Sequence, residues 1–343
     1  MFAPLFIIFG IAAGRAQSMI EEIAVGLYKL EIPLVNSPLK ALNAYVVKGA
    51  ERNLIIDTGW NHKESLNAMH GGLKTLGVDL RITDFFITHM HSDHLGLLPS
   101  LRTDTSCAYM NGPDADRFNS GVPVDAFIDF ARLNGFPEDE LEASLLKHPG
   151  FRYRATQKMV FQIPKEGDVI RLGDFEFTCV ETPGHSWGHM CLYEPHRKIL
   201  ISGDHILGDI SPNIQLWSDE WNPLKAYLSN LEKVSGFDIE LVLPGHRGIL
   251  RNARERILDL RHHHEERLKE ITSVLEKGPR NAFEIGSQIS WDIVYDSWDV
   301  FPISQKWFAV GEVLAHLRYL EEEGIIQRKM QNQLRVYSLT GKP

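Results

Sequence analysis

The chain has 343 residues, 43% of them hydrophobic, enough for one substantial core and a small appended unit. Its 36 basic against 45 acidic residues leave a formal charge of −9, which argues against generic polyanion binding, since nucleic-acid affinity rests on clustered Lys and Arg. Cys107, Cys179 and Cys191 are odd in number and widely spaced, so neither a disulfide framework nor a Cys-based zinc site is indicated, and a reducing cytoplasm fits best.

The first fourteen residues, MFAPLFIIFGIAAG, are apolar but too short to span a bilayer, and they lack the basic start of a secretory signal. Residues 1–18 therefore read as an apolar extension: an over-extended start before Met19, or a signal ending near GRAQS that would send the protein to the periplasm or outside. EEIAVGLYKLEI is the first recognisable strand, and a run of strands ends at LIIDTG (Leu54 to Gly59). HKESLNAMHGGLKTLG predicts a helix weakened by Gly71 and Gly72 and stopped by Gly77. ITDFFITH (Ile82 to His89) is a β-branched and aromatic run that predicts a buried strand.

From residue 111 to 150 the pattern turns helical, with Val124, Phe127, Ile128 and Ala131 on one face and Leu141, Leu145 and Leu146 on the next. This segment predicts a helical insertion that caps the site, with Phe118, Phe127, Phe130 and Phe136 as candidates to line a substrate cavity. Strands return in VIRLGDFEFTCVETP, where Gly173-Asp174 marks a hairpin turn, and continue through MCLYEP and KILISGD. RNARERILDLRHHHEERLKEI predicts a charged amphipathic helix. Its His262, His263 and His264 fan around the axis and cannot converge on one ion, so a solvated helix face is expected there. Beyond Gly278-Pro279 a helix is predicted from near Ser304 to Gly324, followed by a hairpin of IIQRKM and LRVYSL.

Chemistry concentrates in THMHSDH, residues 88–94, where His89, His91, Asp93 and His94 can each bind a metal. Alternate spacing at a strand mouth points His89 and His91 to one ion, while Asp93 and His94 reach another. Three more apolar strands run through a glycine into a ligand: FTCVETPGH to His185, KILISGD to Asp204 and ELVLPGH to His246. Glycine lets the backbone turn sharply beside a metal without a Cβ clash. Seven candidate ligands exceed what one tetrahedral site uses, so two divalent ions are expected, most readily zinc, with iron or manganese also compatible.

With these residues the chain resembles the metallo-β-lactamase-fold hydrolases, whose HxHxDH signature stands here as His89, His91, Asp93 and His94. The resemblance runs from about Val25 to Arg261. It implies an αββα sandwich, in keeping with two sheets flanked by helices. It implies a first metal on His89, His91 and His185, a second on Asp93, His94 and His246, and Asp204 as the bridge. Asp57 matches the family's outer aspartate, which orients a ligand imidazole. The tail resembles the small winged helix of a family subgroup. Residues 19–277 then form the catalytic domain and 278–343 a winged-helix-like unit. Seven Lys/Arg against eight Asp/Glu over 279–343 favour a packing or homodimerisation role for it over DNA reading, and speak against a metal-sensing DNA-binding regulator.

The expected activity is that of a dinuclear metal-dependent hydrolase. A metal-bridging hydroxide attacks an acyl substrate, a thioester or ester, with Asp93 and Asp204 at the reacting centre and His205 as a proton donor. Relatives of other activities differ at diagnostic positions: His91 stands where flavodiiron proteins carry Glu, and Asp204 where many true β-lactamases carry Cys. Quorum-quenching lactonases place a Tyr shortly after the bridging Asp, whereas here Leu207 lies in GDHILGD and no nearby Tyr follows. TPGHSWGH, Thr182 to His189, matches glyoxalase II, but a basic glutathione clamp is not recognisable. The alternative reading is a metal-dependent endoribonuclease acting on single-stranded RNA. A small-molecule substrate is expected, with no stable membrane span.

Overall fold

The computed structural model describes residues 19–121, 123–292 and 295–341; the apolar extension 1–18 lies outside the described residues. One sheet holds six strands in sequence order: β1 (Ile20–Ala24), β2 (Leu27–Pro33), β3 (Ala41–Lys48), β4 (Asn53–Ile56), β5 (Thr83–Phe86) and β6 (Ala108–Tyr109). Strands β1 to β4 pair antiparallel, and β5 and β6 then add in parallel. The second sheet has the order β11-β10-β9-β8-β7, from β7 (Val169–Leu172), β8 (Phe175–Glu181), β9 (Met190–Glu194), β10 (Ile199–Gly203) and β11 (Leu241–Pro244). Only β11 runs parallel to its neighbour β10.

Alternation along the strands sorts side chains onto two faces. Ile56 and Phe86 meet Phe177, Leu192, Ile201 and Leu243 in one buried cluster between the sheets. Their neighbours Ile55 and Phe85 point outward, onto Met69 and Leu73 of α1 (Lys63–Leu76). Short helices α2 (Ser92–Leu95) and α3 (Leu98–Leu101) follow β5. The insertion folds as α4 (Gly112–Ser120), α5 (Val124–Leu133), α6 (Glu138–Lys147) and α7 (Pro149–Arg152). On the far side, Cys191, Leu200 and Val242 pack against α8 (Pro223–Ser235) and α9 (Ala253–Glu276). The layers are therefore helix, sheet, sheet, helix.

The C-terminal part comprises α10 (Ala282–Gly286), α11 (Ile303–Glu322) and the hairpin β12 (Ile326–Gln331) with β13 (Leu334–Leu339). Trp307, Val310, Val313, Leu314 and Leu317 of α11 enter the same buried cluster as Tyr227 and Leu260, so this helix is wedged into the main body. Among the described residues no helix is long and apolar enough to cross a membrane.

Two local expectations change. EEIAVGLYKLEI is two strands: Gly26 adopts φ 83° and folds β1 back on β2, a turn hidden by apolar alternation that continues through it. The histidines of α9 are not all solvated. His262 is exposed, but His264 is fully buried and its Nδ1 lies 3.0 Å from His316 Nε2. Leu260, His264, Arg267 and Ile271 recur at helical spacing and form the buried face of α9, and α11 packs on that helix.

Candidate metal centre

Ligand-bearing loops leave the ends of β5, β8, β10 and β11 together, because both sheets present those ends to the same edge of the sandwich. All seven residues singled out from the sequence come together there. His89, His91 and His185 form one group, Asp93, His94 and His246 a second, and Asp204 lies with His89 and His94 between them.

Within each group the donor atoms all lie within 4.8 Å of one another. His91 Nδ1 is 2.9 Å from both His89 Nε2 and His185 Nε2. His246 Nε2 is 3.4 Å from Asp93 Oδ2, and His94 Nε2 is 3.5 Å from Asp204 Oδ1. Asp204 Oδ2 faces both groups, 3.5 Å from His185 Nε2 and 3.6 Å from His246 Nε2. Nitrogen ligands about 2.0–2.1 Å from a tetrahedral zinc lie about 3.3–3.4 Å from one another, which the pairs at 3.4 to 3.6 Å match and the two 2.9 Å contacts of His91 reach by opening about 0.4 Å. His94 Nε2, His246 Nε2 and Asp204 Oδ1 are buried and meet no hydrogen-bond partner, a costly arrangement that a cation would relieve.

The other ring nitrogen of most candidate ligand histidines is tied down, which sets the tautomer and aims the free nitrogen inward. His185 Nδ1–H donates to the Asn213 carbonyl at 2.9 Å and His246 Nδ1–H to the Ala41 carbonyl at 2.8 Å. His94 Nδ1 donates to Asp57 Oδ2 at 2.7 Å, and Asp57 also accepts from the Thr88 hydroxyl and backbone N–H. Asp57 thus sits where the resemblance placed it, in a left-handed conformation with φ 59° that the ligand loop stabilises.

Burial, together with neighbouring imidazoles, pushes His89 well below its ordinary pKa and His91 down to about 3, so both are neutral and ready to coordinate. Burial acts against His94 and His246 too, yet Asp57, Asp204 and Asp93 outweigh it and raise both. Burial likewise works to raise Asp93, but the hydrogen bond from His246 and the charges of His94 and His246 hold it at about 2.

His205 does not meet its expectation as a proton donor. The turn after Gly203 sends Asp204 into the site and the next side chain the opposite way, so His205 is fully buried against Tyr227, ring centroids 5.3 Å apart, and does not line the cavity. Burial pushes it down to about 3.

Two organising residues carry little sequence signal. Asp114 of α4 is fully buried and accepts from Met90 N at 2.9 Å, Ser186 Oγ at 2.7 Å and Gly188 N at 2.7 Å, clamping the two histidine loops together. His189 accepts from the Asp204 backbone N–H at 3.1 Å and bonds Thr182 Oγ1 at 2.7 Å. TPGHSWGH ends on His189, a signal that the sequence reading did not turn into a role; nothing in the sequence marked Asp114.

Beside the ligands opens a cavity of about 670 Å³ lined by His91, Asp93, His185 and Asp204. Phe118 and Phe127 of the insertion reach it, whereas Phe130 and Phe136 are buried in the core. Trp187 and Trp221 stack 4.4 Å apart in its wall, and Trp307 and Phe308 enter from α11.

A four-layered sandwich with this His/Asp cluster at one edge is the scaffold of a metal-dependent hydrolase. The superfamily model of the metallo-β-lactamases matches residues 39–246, and the chain belongs to that superfamily. It is 27% identical over 298 residues to the probable metallo-hydrolase YqjP of Bacillus subtilis, covering 82% of this chain and 88% of that protein. It is 28% identical over 221 residues to human acyl-coenzyme A thioesterase MBLAC2, covering 60% of this chain and 72% of the relative. A β-lactamase domain protein from Burkholderia ambifaria superposes with a TM-score of 0.80 at 26% identity, over 94% of each chain.

Proposed function

We propose that the protein is a dinuclear hydrolase of acyl substrates, thioesters or esters with an apolar acyl part, using two divalent cations, zinc foremost. His89, His91 and His185 hold the first cation, Asp93, His94 and His246 the second, and Asp204 faces both. Bound there, such cations lower the pKa of water to about 7 and polarise an acyl oxygen. Asp57 and the Asn213 and Ala41 carbonyls keep the imidazoles in register, and the aromatic walls exclude bulk water from the reacting carbonyl.

One observation carries the acyl reading: the ligand cluster opens into a large cavity walled by Phe118, Phe127, Trp187, Trp217, Trp307 and Phe308. Such a wall suits an aliphatic chain. The thioesterase name of the MBLAC2 relative supports the same reading. We read the insertion as a cap that sets chain-length preference, and the winged-helix-like tail as a packing unit whose α11 completes the wall.

A specific feature also favours RNA. Arg154 and Lys158 are exposed among the residues that line the cavity, a pair of cations able to hold phosphate. Metal-replete protein assayed against acyl thioesters of graded chain length, simple esters, lactones and single-stranded RNA decides between them. Thioester turnover that rises with chain length is expected. RNA cleavage without acyl turnover would replace the acyl reading.

A further inference from the structure

His148 lines the same cavity from the junction of α6 and α7. Its Nδ1 accepts the Gly150 backbone N–H at 3.0 Å. A ring nitrogen that accepts carries no proton, so in the neutral ring the proton sits on Nε2. Gly150 permits this close approach, since a Cβ there would lie 2.9 Å from both Cε1 and Nδ1 of the imidazole.

The ring is also held from its sides. It packs 4.8 Å from Phe308 and 5.6 Å from Phe151, centroid to centroid. The next residue, Pro149, accepts through its carbonyl from Ser92 Oγ at 3.3 Å, which ties this junction to the loop bearing Asp93. Two residues past α7's Phe151, Tyr153 stacks on Trp60 at 4.3 Å. Among the described residues no protein group pairs with Nε2, and no carboxylate bonds the ring. Burial pushes His148 down to about 4 against the opposing charge of Asp93, so the ring is neutral at pH 7, in keeping with the proton-free Nδ1 that accepts from Gly150.

We propose that His148 is a catalytic residue whose Nε2–H donates a hydrogen bond to the acyl carbonyl oxygen of the substrate. This rests on the acyl-hydrolase reading. Water oxygen bonds to the acyl carbon while the carbonyl π pair moves onto the oxygen, where the Nε2–H bond strengthens as negative charge gathers. The pair then returns, the carbon–sulfur bond of a thioester breaks, and the thiolate takes its proton from solvent while the acid loses one. His148 keeps its own proton throughout. A fixed neutral donor in an apolar wall has no reorganisation to undergo as charge develops, which makes it more effective than one exposed to water.

The test uses metal-replete full-length protein with His148→Phe, which keeps the ring packing without a donor, and His148→Gln, which restores one. At pH 7 the ¹⁵N shifts of the His148 imidazole, assigned by their loss in the Phe variant, are expected to report the Nε2–H tautomer. Thioester kcat is expected to fall about 10²-fold in His148→Phe, with KM and metal content close to wild type, and to recover in large part in His148→Gln. An alkyl trifluoromethyl ketone, which hydrates to a tetrahedral mimic, is expected to bind the Phe variant more weakly by a similar factor. An Nδ1–H tautomer, an imidazolium at pH 7, loss of metal in the Phe variant, or an unchanged kcat would each overturn the role. Wild-type protein that hydrolyses no thioester or ester would instead bring down the acyl reading itself, an outcome distinct from an active wild type with an equally active Phe variant.

Discussion

Gly245→Ala tests how tightly the two metal groups are packed against the backbone. Gly245 has no positive φ, so alanine is conformationally allowed there and only contacts count. Its Cβ would stand 2.6 Å from Asp204 Oδ1 and 2.9 Å from His94 Cε1, against the 3.4 Å at which ordinary contact begins. Relief by the side chains alone moves these two ligands by about 0.8 and 0.5 Å, well beyond the roughly ±0.2 Å tolerance of a metal site. The backbone cannot easily move instead, because Gly245 N–H donates to the Gly203 carbonyl at 2.8 Å and its carbonyl accepts from Asn43 N–H at 2.7 Å. Metal affinity should drop about 10- to 100-fold, or about 1.4–2.8 kcal/mol. Competition with a chromophoric chelator measures it. Gly248→Ala, in the same loop with nothing within 4 Å, is the control and should bind like wild type. If Gly245→Ala holds metal as tightly as Gly248→Ala, the ligand loops are looser than this packing implies and the argument fails.

Phe127→Ala and Phe308→Ala should shift selectivity between short and long acyl chains by about 1–3 kcal/mol, read as kcat/KM ratios, while Phe136→Ala should cost about 3–5 kcal/mol of stability and leave the ratio alone. An unchanged ratio in both cavity variants would make the wall structural only. Removing residues 279–343 takes Trp307, Val310, Val313 and Leu317 out of a cluster shared with Tyr227 and Leu260, so the shortened chain should fail to fold by circular dichroism; a folded, metal-loaded truncation would refute this. His316 donates from Nδ1 to the Glu312 carbonyl at 2.8 Å, faces His264, His263 and Arg267, and is pushed down to about 3 by burial. A folded pKa below the ordinary value of about 6.5 gives stability that is present above pH 6.5 and lost as pH falls toward 3, about 2 kcal/mol of it by pH 5. The gap in unfolding free energy between wild type and His316→Gln should therefore narrow by about 2 kcal/mol from pH 7 to pH 5, and a constant gap in urea titrations would contradict it.

What the sequence made legible follows from how local each signal is. All seven proposed metal ligands were readable because each lies just beyond a strand: His89, His91, Asp93 and His94 crowd into the segment after β5, the last two on α2, and His185, Asp204 and His246 stand at glycine-containing turns after β8, β10 and β11. The hairpin at Gly173-Asp174 and the helix stop at Gly77 were legible for the same reason: one residue sets one backbone geometry. The missed groups act across long sequence separations. Asp114 clamps loops 24 and 74 residues away, and His264 meets His316 over 52 residues, contacts that no local period announces. The tail is the sharpest case. Its helix is legible as a helix, its acidic balance argues against DNA, and the stripe Val310, Val313, Leu314, Leu317 and Leu320 marks a face that is indeed buried; yet the buried positions run around most of the cylinder, Lys306, Glu312 and His316 among them, and the stripe does not announce those. That all-round burial is itself the informative property. A helix apolar on one stripe can close a small unit of its own, whereas one buried on several faces needs a larger body to surround it. Here that body is the far side of the second sheet, and through Trp307 and Phe308 the same docking brings the tail into the wall of the cavity beside the metal ligands.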